Sequence, residues 1–172
     1  EEKASTQTKN LLFDTTEEER IRPEYRSLSR LLKKDSGLTV TDNNEVEIIT
    51  SGGRKLEALV NDLIAAKHHI HFEYFYFLKD DGSRRIKNLL MQKAREGVKV
   101  RFIHENIANI TIWPGYYNEM KEAGVEVVKF TNPNAFLLSK FNYRDHRKIV
   151  VIDGKVGYTG GMNIGDDYFF RW

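Results

Sequence analysis

The sequence predicts an α/β fold, a βαβ sandwich in which helices flank a mixed, largely parallel sheet. Three observations carry this reading. From Val46 onward, segments that alternate apolar and polar residues take turns with segments whose apolar residues recur at helical spacing. Gly97 and Gly124 stand where helices of that pattern should stop. The composition, 40% hydrophobic and 30% charged over 172 residues, is that of an ordinary globular chain long enough to bury a real core.

The elements follow in order. Residues 1–44 are polar, rich in Thr, Glu, Lys and Arg, and too poor in apolar residues for a core of their own. Thr15 or Thr16 before Glu17, Glu18 and Glu19 reads as a helix start. Pro23 suits the first turn of a second helix running through Leu32, which Gly37 would end. Residues 1–44 are therefore expected to form a helical flanking segment, with a solvated linker as the alternative, and residues 45–172 a separate domain. In that half, residues 46–50 read as a strand, and Leu56, Leu59, Val60, Leu63 and Ile64 mark a helix. Residues 69–78 read as a strand, 83–95 as a helix, 98–103 as a strand, 116–123 as a helix and 125–130 as a strand. The segment 131–144, containing Asn132-Pro133, leads into the next strand and is placed to wall a site.

That next strand opens the most informative stretch, DHRKIVVIDGKVGYTGGMN at residues 145–163. His146 and Lys148 lie two apart, so in a strand both side chains point to one face and share a pocket. A phosphodiester repels nucleophiles by its charge, and its cleavage needs fixed positive charge on the oxygens and a deprotonated nucleophile. Lys148 and His146 supply these two requirements. Asp153-Gly154 is a strong turn signal, and residues 156–159 read as the returning strand of a hairpin. That return brings Gly160 and Gly161 near the pocket, where backbone without side chains can approach a phosphate, and Asn163 adds an amide donor. For Asp153 the turn reading is at least as good as a catalytic one.

His146, Lys148, Asp153, Gly160, Gly161 and Asn163 together match the HxK(x)4D(x)6GGxN signature of the phospholipase D superfamily. The wider wording NYRDHRKIVVIDGKVGYTGGMNIGDDY resembles the first such motif of bacterial cardiolipin synthases, and the resemblance extends upstream through AKHHIHFEYFYFLKDDG, KAREGVKVRF and EAGVEVVKF. It implies a phosphatidyltransferase that joins two phosphatidylglycerol molecules through a phosphohistidine and releases glycerol, with no cofactor and no metal. It assigns His146, Lys148 and Asp153 to catalysis, Asp153 in support, and Lys148, Gly160, Gly161 and Asn163 to the substrate phosphate. It further implies a second HxK half, a membrane anchor outside these residues, anionic phospholipid and a membrane surface on the cytoplasmic face as partners, and no nucleic acid. Where the synthases carry paired aspartates and then Gly-Ser, this chain has Glu105, Asn106, Ala108 and Asn109. The alternatives are a hydrolase of the same superfamily acting on lipid or nucleic acid, and a non-catalytic half that binds phosphate or dimerises.

The remaining features exclude more than they assign. A formal net charge of +2 is too small to imply nucleic-acid binding, and the absence of cysteine removes disulfides and thiol chemistry. No apolar run approaches the ~20 residues that span a bilayer. His69, His71 and Glu73 share a strand face and could be read as metal ligands, but ordinary packing or hydrogen bonding is the better reading. Glu73 among aromatics needs a partner, either His104 or the pocket. Phe72, Tyr74, Phe75, Tyr76, Phe77 and Phe102 read as core; Trp113, Tyr116 and Tyr117 read as helix packing or as a lipid-facing rim.

Overall fold

A computed structural model describes residues 21–38, 40–41, 44–105, 109, 114–130 and 144–170. They divide between a unit ending at Glu47 and one beginning at Ile48. The first holds helix α1, Pro23–Ser36, with proline in its first turn; Gly37 ends it in the left-handed conformation (φ +72°), its N–H bonded to the Lys33 carbonyl at 2.9 Å. The helix start expected at Thr15 or Thr16 lies outside the described residues.

The second unit alternates as the sequence predicts: α2 (Gly52–Ala65), β1 (His69–Tyr74), α3 (Asp81–Arg95), β2 (Lys99–His104), α4 (Pro114–Glu122), β3 (Glu126–Lys129), β4 (Lys148–Ile152), β5 (Val156–Thr159) and α5 (Asp166–Phe170). The strands form one mixed sheet in the order β3-β2-β1-β4-β5. β1 pairs parallel with β2 and β2 with β3, whereas β4 runs antiparallel to both β1 and β5, so four of five strands run the same way. Gly97 and Gly124 adopt φ +91° and +95° where α3 and α4 end.

Strand alternation decides which face is core. Ile70, Phe72, Tyr74, Val100, Phe102, Val150 and Ile152 point one way and are buried with Leu56, Leu59, Val60 and Leu63 of α2, Ile86 and Leu90 of α3, Met120 of α4 and Phe169 of α5. Their neighbours His69, His71, Glu73, Arg101 and Val151 point the other way and stay partly exposed. Tyr116 and Tyr117 are buried against this core, which settles them as packing residues rather than a lipid-facing rim. Trp113 lies outside the described residues.

Two expected strand spans differ from the structure. Residues 46–50 form no strand, and Val46 and Ile48 are each 82% exposed: alternation makes a segment fit for a sheet but supplies no neighbour. β1 stops at Tyr74 rather than 78, because the donors of Tyr76 and Phe77 turn to side chains and only an isolated bridge to Ile164 follows. Tyr76 N–H bonds to Asn163 Oδ1 at 3.2 Å and Phe77 N–H to Asn109 Oδ1 at 3.1 Å. Within α2 the predicted stripe is buried except for Ile64, which faces solvent.

Candidate active site at the β1 and β4 strand ends

The strand order places a crevice at one end of the sheet. β2 and β3 are laid to one side of β1 and β4 to the other, so the chain's direction of progress reverses beside the carboxyl end of β1, the usual position of a ligand site in an open sheet. The register brings Tyr74 opposite both His104 and Lys148. His146 lies two residues before Lys148, outside the ladder and exposed, and Lys148 is 4% exposed. The aromatic ring of Phe75 links the two: the imidazole meets it edge-on with centroids 4.6 Å apart, and the Lys148 ammonium lies 5.2 Å from its centroid. Lys148 Nζ donates to the His146 carbonyl at 2.7 Å, which fixes the backbone of the histidine. Burial lowers the proton affinity of Lys148, and the Asp145 carboxylate opposes that shift.

The hairpin forms as expected. Asp153 (φ +54°) and Gly154 (φ +67°) both take left-handed conformations, and Lys155 N–H closes the turn on the Ile152 carbonyl at 3.0 Å. β5 returns with Thr159 opposite Ile149, which carries Gly160 and Gly161 to the Lys148 end. Both glycines border open space: a Cβ added to either would meet nothing within 4 Å.

Two motif residues are not brought to the mouth. Asp153 sits at the far end of β4, where its carboxylate accepts from the backbone N–H groups of Lys67, His68 and His69 at 2.8, 2.8 and 2.9 Å. Those donors hold its pKa down at about 2. Asn163 is buried, with its Oδ1 on Tyr76 N–H and its Nδ2 donating to Tyr168 Oη at 2.9 Å. It anchors the turn that carries the glycines.

Several site residues carry weak sequence signals. Glu105, 1% exposed, accepts from Asp145 N–H at 3.0 Å and so holds the residue before His146. Asn109 ties two strand exits together, donating to the Phe75 and Glu105 carbonyls at 2.7 and 2.6 Å. Lys55 of α2 is 8% exposed and donates to the Met162 carbonyl at 2.7 Å. Its signal is position: Lys55, Leu59 and Leu63 fall four apart on the buried stripe of the helix.

Glu73 finds its partners beside the pocket. It hydrogen-bonds with Asp145, and Arg147 Nε lies 2.8 Å from its Oε1 and 2.9 Å from Asp145 Oδ1. Burial first, and then the Asp145 carboxylate, push the Glu73 pKa up to about 7. His104 is on the opposite, helix-covered face, stacked on Tyr117 at 4.0 Å. His69 and His71 stand 5.0 Å apart with Arg101 Nη1 at 3.3 Å from His71 Nε2, and among the described residues no group of three or more His, Asp or Glu could hold a metal. No described helix is long and apolar enough to cross a membrane.

Residues 59–171 match the family described as cardiolipin synthase, PLD-like domain. Cardiolipin synthase 1 of Bacillus cereus is 38% identical over 146 residues, 84% of this chain and 28% of that protein. Cardiolipin synthase 2 of the same organism is 41% identical over 155 residues, 88% of this chain and 30% of the relative. The major cardiolipin synthase ClsA of Bacillus subtilis is 37% identical over 144 residues, 83% and 30% of the two chains. The chain thus spans less than a third of the length of these relatives. With the His-x-Lys strand and the Gly-Gly turn meeting at one end of its sheet, the chain belongs to the cardiolipin synthase, PLD-like domain family.

Proposed function

We propose that this chain is one catalytic half of a phosphatidyltransferase that moves a phosphatidyl group from one phosphatidylglycerol to another. The observation that supports it best is the pairing of an exposed imidazole with a buried ammonium on one aromatic ring, beside two glycines that border open space. A phosphodiester seated there meets His146 as nucleophile, while Lys148 and the glycine backbone take its non-bridging oxygens and Asn163 fixes the turn. Attack by a His146 ring nitrogen on phosphorus breaks the bond to the glycerol oxygen, which leaves with a proton from the histidine of a second HxK motif. A hydroxyl of the second lipid then attacks the phosphohistidine, gives up its proton and frees His146. A P–N bond replaces one phosphoester in the first step and a new phosphoester replaces that P–N bond in the second, so the scheme calls for no nucleotide.

Asp153 acts in this scheme by fixing the hairpin. Residues 1–44 serve as a flanking segment, and the partners are an anionic phospholipid at a membrane surface and a second HxK half.

Labelled phosphatidylglycerol tests the reading. The protein joined to its second motif should yield cardiolipin and free glycerol, and His146→Ala should abolish both; retention of more than about a tenth of the rate overturns the role of His146. Phosphatidic acid as the main product would identify a hydrolase instead. The 172-residue chain alone has one HxK motif and should make no cardiolipin. Turnover per chain that rises with concentration and vanishes in His146→Ala would show that two copies suffice.

A further inference from the structure

Lys55 has no carboxylate partner among the described residues, although it is almost wholly buried. Its ammonium donates to the Met162 carbonyl at 2.7 Å and reaches the Asn163 carbonyl at 3.5 Å, both in the turn that follows Gly160 and Gly161. The Tyr74 ring lies 5.1 Å away, and Tyr74 is the register partner of Lys148. Two buried cations thus come from different elements, α2 and β4, to the same end of the sheet. The Asp145 carboxylate offsets the charge of Lys148 in part, but no described carboxylate does so for Lys55, so an anion at the site would complete the group. The open space at the two glycines is where that anion can sit.

We propose that Lys55 is a second ammonium of the phosphate site, tying the Gly160–Asn163 turn to α2 and adding its charge to that of Lys148 beneath a phosphodiester. This inference rests on the phosphodiester reading above. Among the described residues, the groups facing Lys55 are the Met162 and Asn163 carbonyls, the Tyr74 phenol, whose proton is held well above the usual phenol range by burial, and the Lys148 ammonium. Burial, and then the charge of Lys148, lower the pKa of Lys55 to about 8. In the empty site its charge is therefore partly lost just above neutrality, and a bound anion restores it.

The probe is bis(p-nitrophenyl) phosphate, a monoanion across the range used, titrated into the 172-residue chain from pH 6 to pH 10 and followed by NMR. Wild-type affinity should weaken by roughly tenfold in a step near pH 8, as one facing charge is lost. Lys55→Arg should lack that step, and Lys55→Met should bind weakly already at pH 7. Wild-type affinity in Lys55→Met, or a step near pH 8 that persists in Lys55→Arg, overturns the inference. Lys148→Met separates the two readings: undiminished binding there sinks the phosphodiester site itself, whereas loss there with normal binding in both Lys55 variants sinks the role of Lys55 alone. Should the Lys55 variants not fold, 13C-labelled lysine in the wild-type chain decides. The probe should move the Lys55 Cε titration to higher pH, and an unmoved midpoint overturns the proposal.

Discussion

Gly52 and Gly53 are adjacent at the start of α2, yet alanine should have opposite effects at the two positions. A Cβ on Gly52 would stand 1.7 Å from the Tyr168 carbonyl oxygen, 2.7 Å from its carbon and 2.9 Å from Phe169 Cα. All three are backbone atoms of α5, so no side chain can swing away, and the helices must part by more than an ångström to restore ordinary contact. Overpacking of this kind costs about 3 kcal/mol, well above the 0.5–1 kcal/mol that alanine gains over glycine in a helix. A Cβ on Gly53 would meet the Phe169 carbonyl at 3.6 Å, an ordinary contact, so only the helix gain of up to about 1 kcal/mol remains. Urea unfolding of the three proteins should place Gly53→Ala at or above wild type and Gly52→Ala about 3 kcal/mol below it, with similar m-values. Because Tyr168 Oη accepts from Asn163, Gly52→Ala should also shift the amide resonances of Gly160 and Gly161. Equal stability of the two variants would refute the close seating of α5 on α2 and with it the account of how the glycine turn is held.

Lys148→Ala in the two-motif protein should remove nearly all turnover, and Lys148→Arg should restore only part, because a planar guanidinium does not reproduce a compact ammonium held against Phe75. Asp153 has a folded pKa of about 2, below its ordinary 3.8, so its stabilisation is complete above the ordinary value and is lost as pH falls through the folded one. The melting temperatures of wild type and Asp153→Asn should therefore converge between pH 5 and pH 2; a constant gap would contradict the three backbone bonds. Glu73 has the opposite sign: its folded pKa of about 7 means the native state keeps a proton that the unfolded chain releases near 4.5. Wild-type stability should fall from pH 4.5 to pH 7 more steeply than that of Glu73→Gln, and parallel curves would refute the shared carboxyl pair.

Much of this fold is written locally in the chain. The apolar alternation of β1, β2 and β4, the stripe of α2 apart from Ile64, the Asp153-Gly154 turn and the stops at Gly97 and Gly124 depend on near neighbours and are present in the structure. What the sequence hides depends on distant partners. Val46 and Ile48 alternate as a strand should but have no edge to join, and β1 ends early because Asn109 and Asn163, 32 and 87 residues away, take its next backbone donors. Lys55 reads as a solvated lysine unless its place on the apolar stripe is weighed, and Glu105 stands where the family pattern departs, although its backbone bond to Asp145 gives it a definite structural task.

The motif divides into residues that face the mouth and residues that hold it open, and the division has a measurable consequence. His146, Gly160 and Gly161 are exposed, whereas Asn163 is 4% exposed and its amide serves one backbone donor and one phenol. Unpaired buried polar groups cost about 1–3 kcal/mol each, and Tyr76 N–H and Tyr168 Oη are partly buried, so Asn163→Ala, which removes the partner of both, should destabilise the chain by roughly 1–2 kcal/mol. His146→Ala deletes an exposed ring and should leave the urea midpoint within the equivalent of about 0.5 kcal/mol of wild type. Both variants are expected to lose turnover in the two-motif protein, so activity alone cannot tell them apart; stability can. A His146→Ala protein as unstable as Asn163→Ala would mean that the imidazole is a structural strut on Phe75, and the case for it as a nucleophile would lose its physical basis.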